Sequence, residues 1–158
     1  MKFNVIFPMA GKGSRFNYKF KPFIKISDLT FIQLAFKYFI KWKEYINNIY
    51  FIITKEQDKL FNVTSKLKDY FSDYKYKLII LDKETKGPFE TLSNAIHQYK
   101  ILGKSFICDC DHSINISPVI EQLQNLEQYD VILSVWDISY ENLNSWSKVY
   151  YDQNNSII

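Results

Sequence analysis

The chain has 158 residues, 47% of them hydrophobic and 18% aromatic, a length that suits one domain and a composition that excludes a disordered polymer. Its 20 basic and 17 acidic side chains leave a net charge of +3, with the lysines spread along the chain, which argues against nucleic acid as the main partner. No stretch reaches the roughly 20 apolar residues that span a bilayer, the apolar start runs into a glycine-rich loop, and two cysteines one residue apart argue against a disulfide framework, so a cytoplasmic location away from membranes is expected.

Strand and helix then alternate. Residues 2–7 read as a first strand that ends in the loop Ala10-Gly11-Lys12-Gly13-Ser14-Arg15. Helical spacing predicts a helix over 30–42 with Thr30 as its cap, and IYFIIT at 49–54 reads as a buried strand. A polar helix is predicted over 55–71, with apolar positions at Leu60, Phe61, Leu67 and Tyr70, followed by a third strand (KLIIL) at 77–81. A helix at 89–99 follows Gly87-Pro88, and a fourth strand beginning at 105–108 runs into acids. Further on come a helix at 118–127 with Ser117 as cap and Pro118 at its first position, a fifth strand (DVILSV) at 130–135, and two short strands at 149–151 and 157–158 around a turn. Continuous apolar strands separated by helices imply a mainly parallel sheet with helices on both faces. Ligands of such sheets bind beyond the carboxyl ends of the strands. Each motif below follows such an end or opens a helix.

Arg15 is the only arginine of the chain, and it sits in the glycine-rich loop. A planar, forked donor set suits a phosphate better than an ammonium does. Glycines let backbone N–H groups approach phosphate oxygens, and Lys12 and Ser14 add charge and hydrogen bonds. The spacing is not that of a Walker A loop, which has four residues between its first Gly and the Gly-Lys-Ser/Thr, and Phe at position 16 excludes the Gly-x-Gly-x-x-Gly fingerprint. Lys21, before Pro22, is expected in an extended segment that reaches back over the same rim. Asp109 and Asp111 alternate with Cys108 and Cys110 at the end of the fourth strand. Two carboxylates on one side of a strand end suit Mg²⁺, which takes one or two of them plus phosphates and water. A zinc site of Cys108, Cys110 and His112 is the competing reading by residue type, but alternation turns the cysteines away from the acids. His97 is read as structural, and Trp136 and Trp146 as packing rather than as the lining of an acceptor pocket.

The order GxGSRF followed by KPF resembles the signature of the nucleotidyltransferases that activate sugar phosphates and related small phospho-acceptors, usually written GxGTRx…PKPL. The opening PMAGxGSRF resembles the variant found in bacterial surface-polysaccharide gene products, with Phe20 in place of the first proline. The resemblance implies a GT-A-like, Rossmann-like α/β sheet. It implies transfer of NMP from a nucleoside triphosphate to a small phosphorylated acceptor, with release of pyrophosphate and a requirement for Mg²⁺. It assigns Arg15 and Lys21 to catalysis and Ala10, Gly11, Lys12, Gly13 and Ser14 to the triphosphate. Gly87, in a turn against the base, is a further nucleotide contact, with Thr85 and Glu90 as lesser candidates. Asp111, seconded by Asp109, binds the metal. Residues 1–158 are expected to form a nucleotide-binding nucleotidyltransferase domain without the acceptor-binding portion, and an unfinished hairpin at the end favours a homodimer. Two other readings stay open: a GT-A glycosyltransferase that uses Asp109-x-Asp111 to bind a nucleotide-sugar, and a truncated nucleotide-binding protein without full activity.

Overall fold

Residues 2–13, 17–122, 130–135 and 149–154 are described by a computed structural model. The chain divides into two units, Met1–Pro118 and Val119–Ile158. The first carries a four-stranded sheet in the order β5-β4-β1-β6, built from β1 (Phe3–Pro8), β4 (Ile46–Thr54), β5 (Tyr76–Leu81) and β6 (Ser105–Ile107). Every pairing is parallel: Val5 lies opposite Ile49 on one side and Phe106 on the other, and Phe51 lies opposite Leu78. The expected α/β sheet with helices on both faces is therefore the observed one. No helix among the described residues is long and apolar enough to cross a membrane.

The two faces differ in chemistry, because successive side chains of a strand point to opposite sides. One face is mainly aliphatic. Ile6, Ile52, Ile79 and Leu81, with Tyr50, pack on Ala95, Leu92 and Ile96 of α4 (Pro88–Tyr99). The other is aromatic. Phe7 stacks on Phe51 with centroids 5.7 Å apart, Phe51 meets Phe71 at 4.8 Å, and Phe3 meets Phe106 at 4.9 Å and Phe39 at 6.4 Å. Phe36 joins this layer through Phe71 at 5.3 Å. Tilted and edge-on pairs of this kind add about 0.5–1.5 kcal/mol each beyond the burial of their area.

The helices covering the aromatic face depart from the expected ones in two places. The helix predicted over 30–42 is α-helical only as α1 (Phe31–Phe36); it tightens into a 3-10 segment over Lys37–Tyr45 with a kink at Trp42. Thr30 does cap it, with Gln33 answering in a full capping box. The helix predicted over 55–71 is two, α2 (Lys55–Phe61) and α3 (Val63–Tyr70), broken at Asn62 in the left-handed conformation. Asn tolerates that conformation better than other residues with a side chain. Asp58 secures the break, its carboxylate accepting from the Thr64 N–H (2.8 Å) and hydroxyl (2.9 Å). Leu67 is fully buried, whereas Leu60 is 65% exposed. A small antiparallel ribbon of β2 (Lys25–Ile26) and β3 (Leu29–Thr30), not anticipated from the sequence, turns the chain into α1.

In α5 (Ser117–Glu121) the helix begins near its expected cap, with Asn115 Oδ1 accepting from the Ser117 N–H at 3.1 Å. In the second unit, the expected fifth strand at 130–135 forms no strand, and its Val131, Ile132, Leu133 and Val135 are exposed. Its apolar run alone does not make a ladder. Tyr151 makes an isolated bridge before a turn in which Asp152 accepts from the Asn154 N–H at 2.8 Å. Residues 157–158, Trp136 and Trp146 lie outside the described residues.

Candidate active site

Because all four strands are parallel, the loops after β1, β4, β5 and β6 leave one rim of the sheet. The loop after β1 begins with the Met9 N–H donating to Ile52 O at 2.8 Å, so β1 and β4 remain paired to its start. Gly13 has φ +64°, and a Cβ there would lie 2.5 Å from the Lys19 carbonyl oxygen. The Tyr18 N–H donates to Gly13 O at 3.2 Å, and Asn17 and Tyr18 are both left-handed. Residues 13 and 18–19 thus pin the two ends of the loop together, which only glycine at 13 allows. Gly11 differs: its φ is not left-handed, and a Cβ would meet nothing within 4 Å. Ala10 is buried, while Gly11 and Lys12 are exposed. Ser14 and Arg15 lie outside the described residues.

Lys21 does not extend the chain as expected. It opens a 3-10 turn over Lys21–Phe23, closed by the Ile24 N–H donating to Lys21 O at 3.1 Å. Phe20, the residue that departs from the nucleotidyltransferase signature, is buried beneath this turn. It stacks on Phe61 at 5.4 Å and meets Phe23 edge-on at 4.9 Å. From this turn Lys21 Nζ forms an ion pair with Asp111 Oδ2, ninety positions further along the chain. Both side chains are largely but not wholly screened from solvent, at 31% and 22% exposure.

Beyond β6, the Cys108 N–H donates to Ile6 O at 2.9 Å, so the ladder continues to the edge of the acidic segment. Asp109, Asp111 and His112 then converge, one ligand atom from each lying within 4.8 Å of the others. His112 Nδ1 is 3.1 Å from Asp109 Oδ2 and 3.9 Å from Asp111 Oδ1. Among the described residues, the group able to hold a metal ion is this one, and it contains neither cysteine. Burial pushes both thiols up to about 12, helped by Asp109 at Cys108 and by Asp111 at Cys110. The cysteines stay outside the acidic group, as the sequence reading expected, although 108–111 lie past the end of β6 and not in a strand, while His112, read only as a zinc or turn residue, joins the acids.

The loop after β5 faces the one after β1 through Lys12 Nζ and Glu84 Oε2, 2.7 Å apart. The Glu84 hydrogen bond, then its charge, raises the Lys12 pKa above its ordinary value. The lesser base candidates tie the loop to the first turn of α4: the Thr85 hydroxyl bonds to Thr91, and Glu90 Oε2 accepts from the Lys86 N–H. Gly87 is extended, and a Cβ there would meet nothing within 4 Å. His97 Nδ1 donates to Ser93 O at 2.7 Å, a helix-internal bond in line with its structural reading.

Two participants were not anticipated. Glu84 carries no motif. Gln57 lies within Thr54-x-x-Gln57, a spacing that signals a capping box, and the box forms, with Gln57 Oε1 accepting from the Thr54 N–H at 2.9 Å. The opposite end of the same amide, Nε2, donates to Gly11 O at 2.9 Å and to Met9 O at 3.3 Å.

No protein-family model and no curated protein matches the chain. Among solved structures it is similar to a nucleoside-diphosphate-sugar pyrophosphorylase from Vibrio cholerae RC9, at 19% identity and a TM-score of 0.54, over 68% of this chain and 47% of that one. It is also similar to a UDP-glucose pyrophosphorylase complexed with UDP-glucose, at 18% identity and a TM-score of 0.53, over 81% of this chain and 54% of that one. The chain thus shares its fold with these two structures and spans about half their length.

Proposed function

We propose that the chain binds a nucleoside triphosphate at this rim and transfers its NMP to a phosphorylated sugar or similar small phospho-acceptor. In this reaction an acceptor phosphate oxygen attacks the α-phosphorus in line. The bond from that phosphorus to the bridging oxygen breaks, and pyrophosphate leaves with the electron pair. Such a step asks for positioning and charge neutralisation rather than covalent chemistry. The observation that carries the reading is the ion pair of Lys21 with Asp111 beside the loop after β1. It holds one cationic and one anionic group at a single point of the rim, which suits a polyanion accompanied by a cation. Both matched structures are named as pyrophosphorylases, which supports the same reading.

The backbone of Ala10 to Gly13, together with Lys12, Ser14 and Arg15, is assigned to the β- and γ-phosphates. Lys21 is assigned to the charge that grows on the transferred phosphoryl group. Gly11 and Gly87 meet no neighbour that would exclude a side chain. Glycine there suits a ligand brought close to the backbone. Asp111 and Asp109 offer the hard oxygen donors that Mg²⁺ prefers, with His112 beside them, so the residues fit a divalent cation. When bound, such a cation would neutralise phosphate charge. The domain is read as the nucleotide-binding part, and recognition of the acceptor is not assigned to any described residue. Following the PMAGxGSRF resemblance, the product would serve surface-polysaccharide synthesis.

A glycosyltransferase using a nucleotide-sugar is the second reading, favoured by the pairing of Asp109 and Asp111. A thermal-shift panel of CTP, UTP, dTTP, GTP, ATP and UDP-glucose, with and without Mg²⁺, separates the two. A ligand at about 100 times its dissociation constant stabilises by roughly 2.7 kcal/mol, a shift of several degrees. The expected result is a magnesium-dependent shift with one triphosphate, lost on Arg15→Ala, its magnesium dependence abolished by Asp111→Asn. A shift with UDP-glucose alone would favour the glycosyltransferase, and no shift with any nucleotide would end both readings.

A further inference from the structure

We propose that Gln57 is a positioning residue that fixes the backbone of the loop after β1, so that its N–H groups face a bound triphosphate. The proposal rests on the phosphate-loop reading above. Gln57 is more than nine-tenths buried, and both ends of its side-chain amide are used. Its orientation is set by its partners, since the Met9 and Gly11 carbonyls accept only from an N–H, and the Thr54 N–H donates only to an oxygen. No cis peptide occurs among the described residues. In a trans peptide the N–H of the following residue points opposite to the carbonyl. With the Met9 and Gly11 carbonyls drawn onto Gln57 at the start of α2, the Ala10 and Lys12 N–H groups are directed away from it. A second consequence follows from the same side chain. The capping box sets the start of α2, so the loop is referenced to the end of β4 and not only to its own strand.

The test must separate this clamp from the helix cap, because Gln57 serves both. Gln57→Glu keeps an oxygen for the Thr54 N–H, as capping boxes commonly do, but offers no N–H to the loop. Thr54→Val does the reverse, removing the hydroxyl that caps the Gln57 N–H while leaving the amide on Met9 and Gly11. The first readout needs no ligand: the rate of trypsin cleavage after Lys12, in the loop, relative to cleavage after Lys59, in α2. Cleavage tracks the population of the opened segment. Gln57→Glu should raise the Lys12 rate about tenfold with the Lys59 rate little changed, as expected when a hydrogen bond or two is lost. Thr54→Val should raise the Lys59 rate and not the Lys12 rate. The second readout is the affinity of magnesium tripolyphosphate by calorimetry, a probe that needs no base. It should fall about tenfold in Gln57→Glu through lost preorganisation and hold in Thr54→Val.

If Gln57→Glu does not fold, Gln57→Met takes its place, and its Lys12-to-Lys59 ratio should still rise above that of Thr54→Val. An unchanged Lys12 rate, or an equal rise in Thr54→Val, overturns the clamp. An unchanged tripolyphosphate affinity in a variant whose loop has opened overturns the positioning role. If the wild-type chain binds neither tripolyphosphate nor any nucleoside triphosphate while the cleavage pattern is as expected, the clamp stands and the transferase reading falls.

Discussion

Gly13 and Gly11 stand two positions apart in the same loop for different reasons. Gly13 is left-handed and would drive a Cβ into the Lys19 backbone, so Gly13→Ala should cost about 1–3 kcal/mol in urea unfolding. Gly11→Ala meets neither obstacle and should be neutral or stabilise by about 0.4–1 kcal/mol. Equal losses in the two variants would refute this division. If Gly11→Ala keeps its stability but binds triphosphate more weakly, glycine at 11 serves the ligand and not the fold. The two cysteines carry a pH signature. Their folded pKa values are raised to about 12 from an ordinary 9.0, so the stability they contribute is whole below pH 9 and is lost as pH rises towards 12. The slope is at most about 1.4 kcal/mol per pH unit for each thiol. Unfolding midpoints measured from pH 8 to 11 should fall more steeply in the wild type than in a Cys108→Ala/Cys110→Ala variant, and parallel curves would disprove it. Residue chemistry of this kind was legible at Asp109 and Cys110, where the expected exposed acid and buried thiol are found although both lie past the end of β6. The Lys12–Glu84 pair was not, because no local pattern says which loop an exposed lysine will face.

The break between α2 and α3 shows what periodicity leaves out at the scale of an element. Apolar positions continue through 55–71, so their spacing reads as one helix, yet Asn62 turns left-handed and Asp58 begins a second helix by capping Thr64. The signals were present as single residues, an Asn and an Asp six positions before a Thr, but such residues also occur inside helices. Asp58→Ala should cost about 0.5–2 kcal/mol by removing this cap. Circular dichroism and urea unfolding would check it, and a stability equal to wild type would mean that Asn62 alone maintains the break. The strands were more legible, because buried parallel strands are apolar on both faces. The 130–135 segment shows the converse: the same composition forms no ladder there. At Lys21 the rule that a residue before proline is extended gave way to a 3-10 turn, held by Phe20 stacked on Phe61. A tertiary contact outweighed a local preference.

Across the whole molecule, strand order was the least legible feature, since the sequence holds the elements but not their neighbours. What could be inferred was that a parallel sheet gathers its loops on one rim, and that is where Lys21 meets Asp111. The order β5-β4-β1-β6 has a further effect on how the chain is made. β1 leaves the ribosome first, gains β4 as a neighbour after some forty residues, and waits about a hundred for Ser105 to Ile107 to close its other side. At a synthesis rate of roughly 5–20 residues per second, that hundred-residue wait is about 5–20 s. Throughout it, one flank of an apolar strand presents unpaired backbone groups to any extended segment nearby. Variants that slow elongation between β4 and β6 therefore lengthen the period of mispairing without changing a single contact of the finished protein.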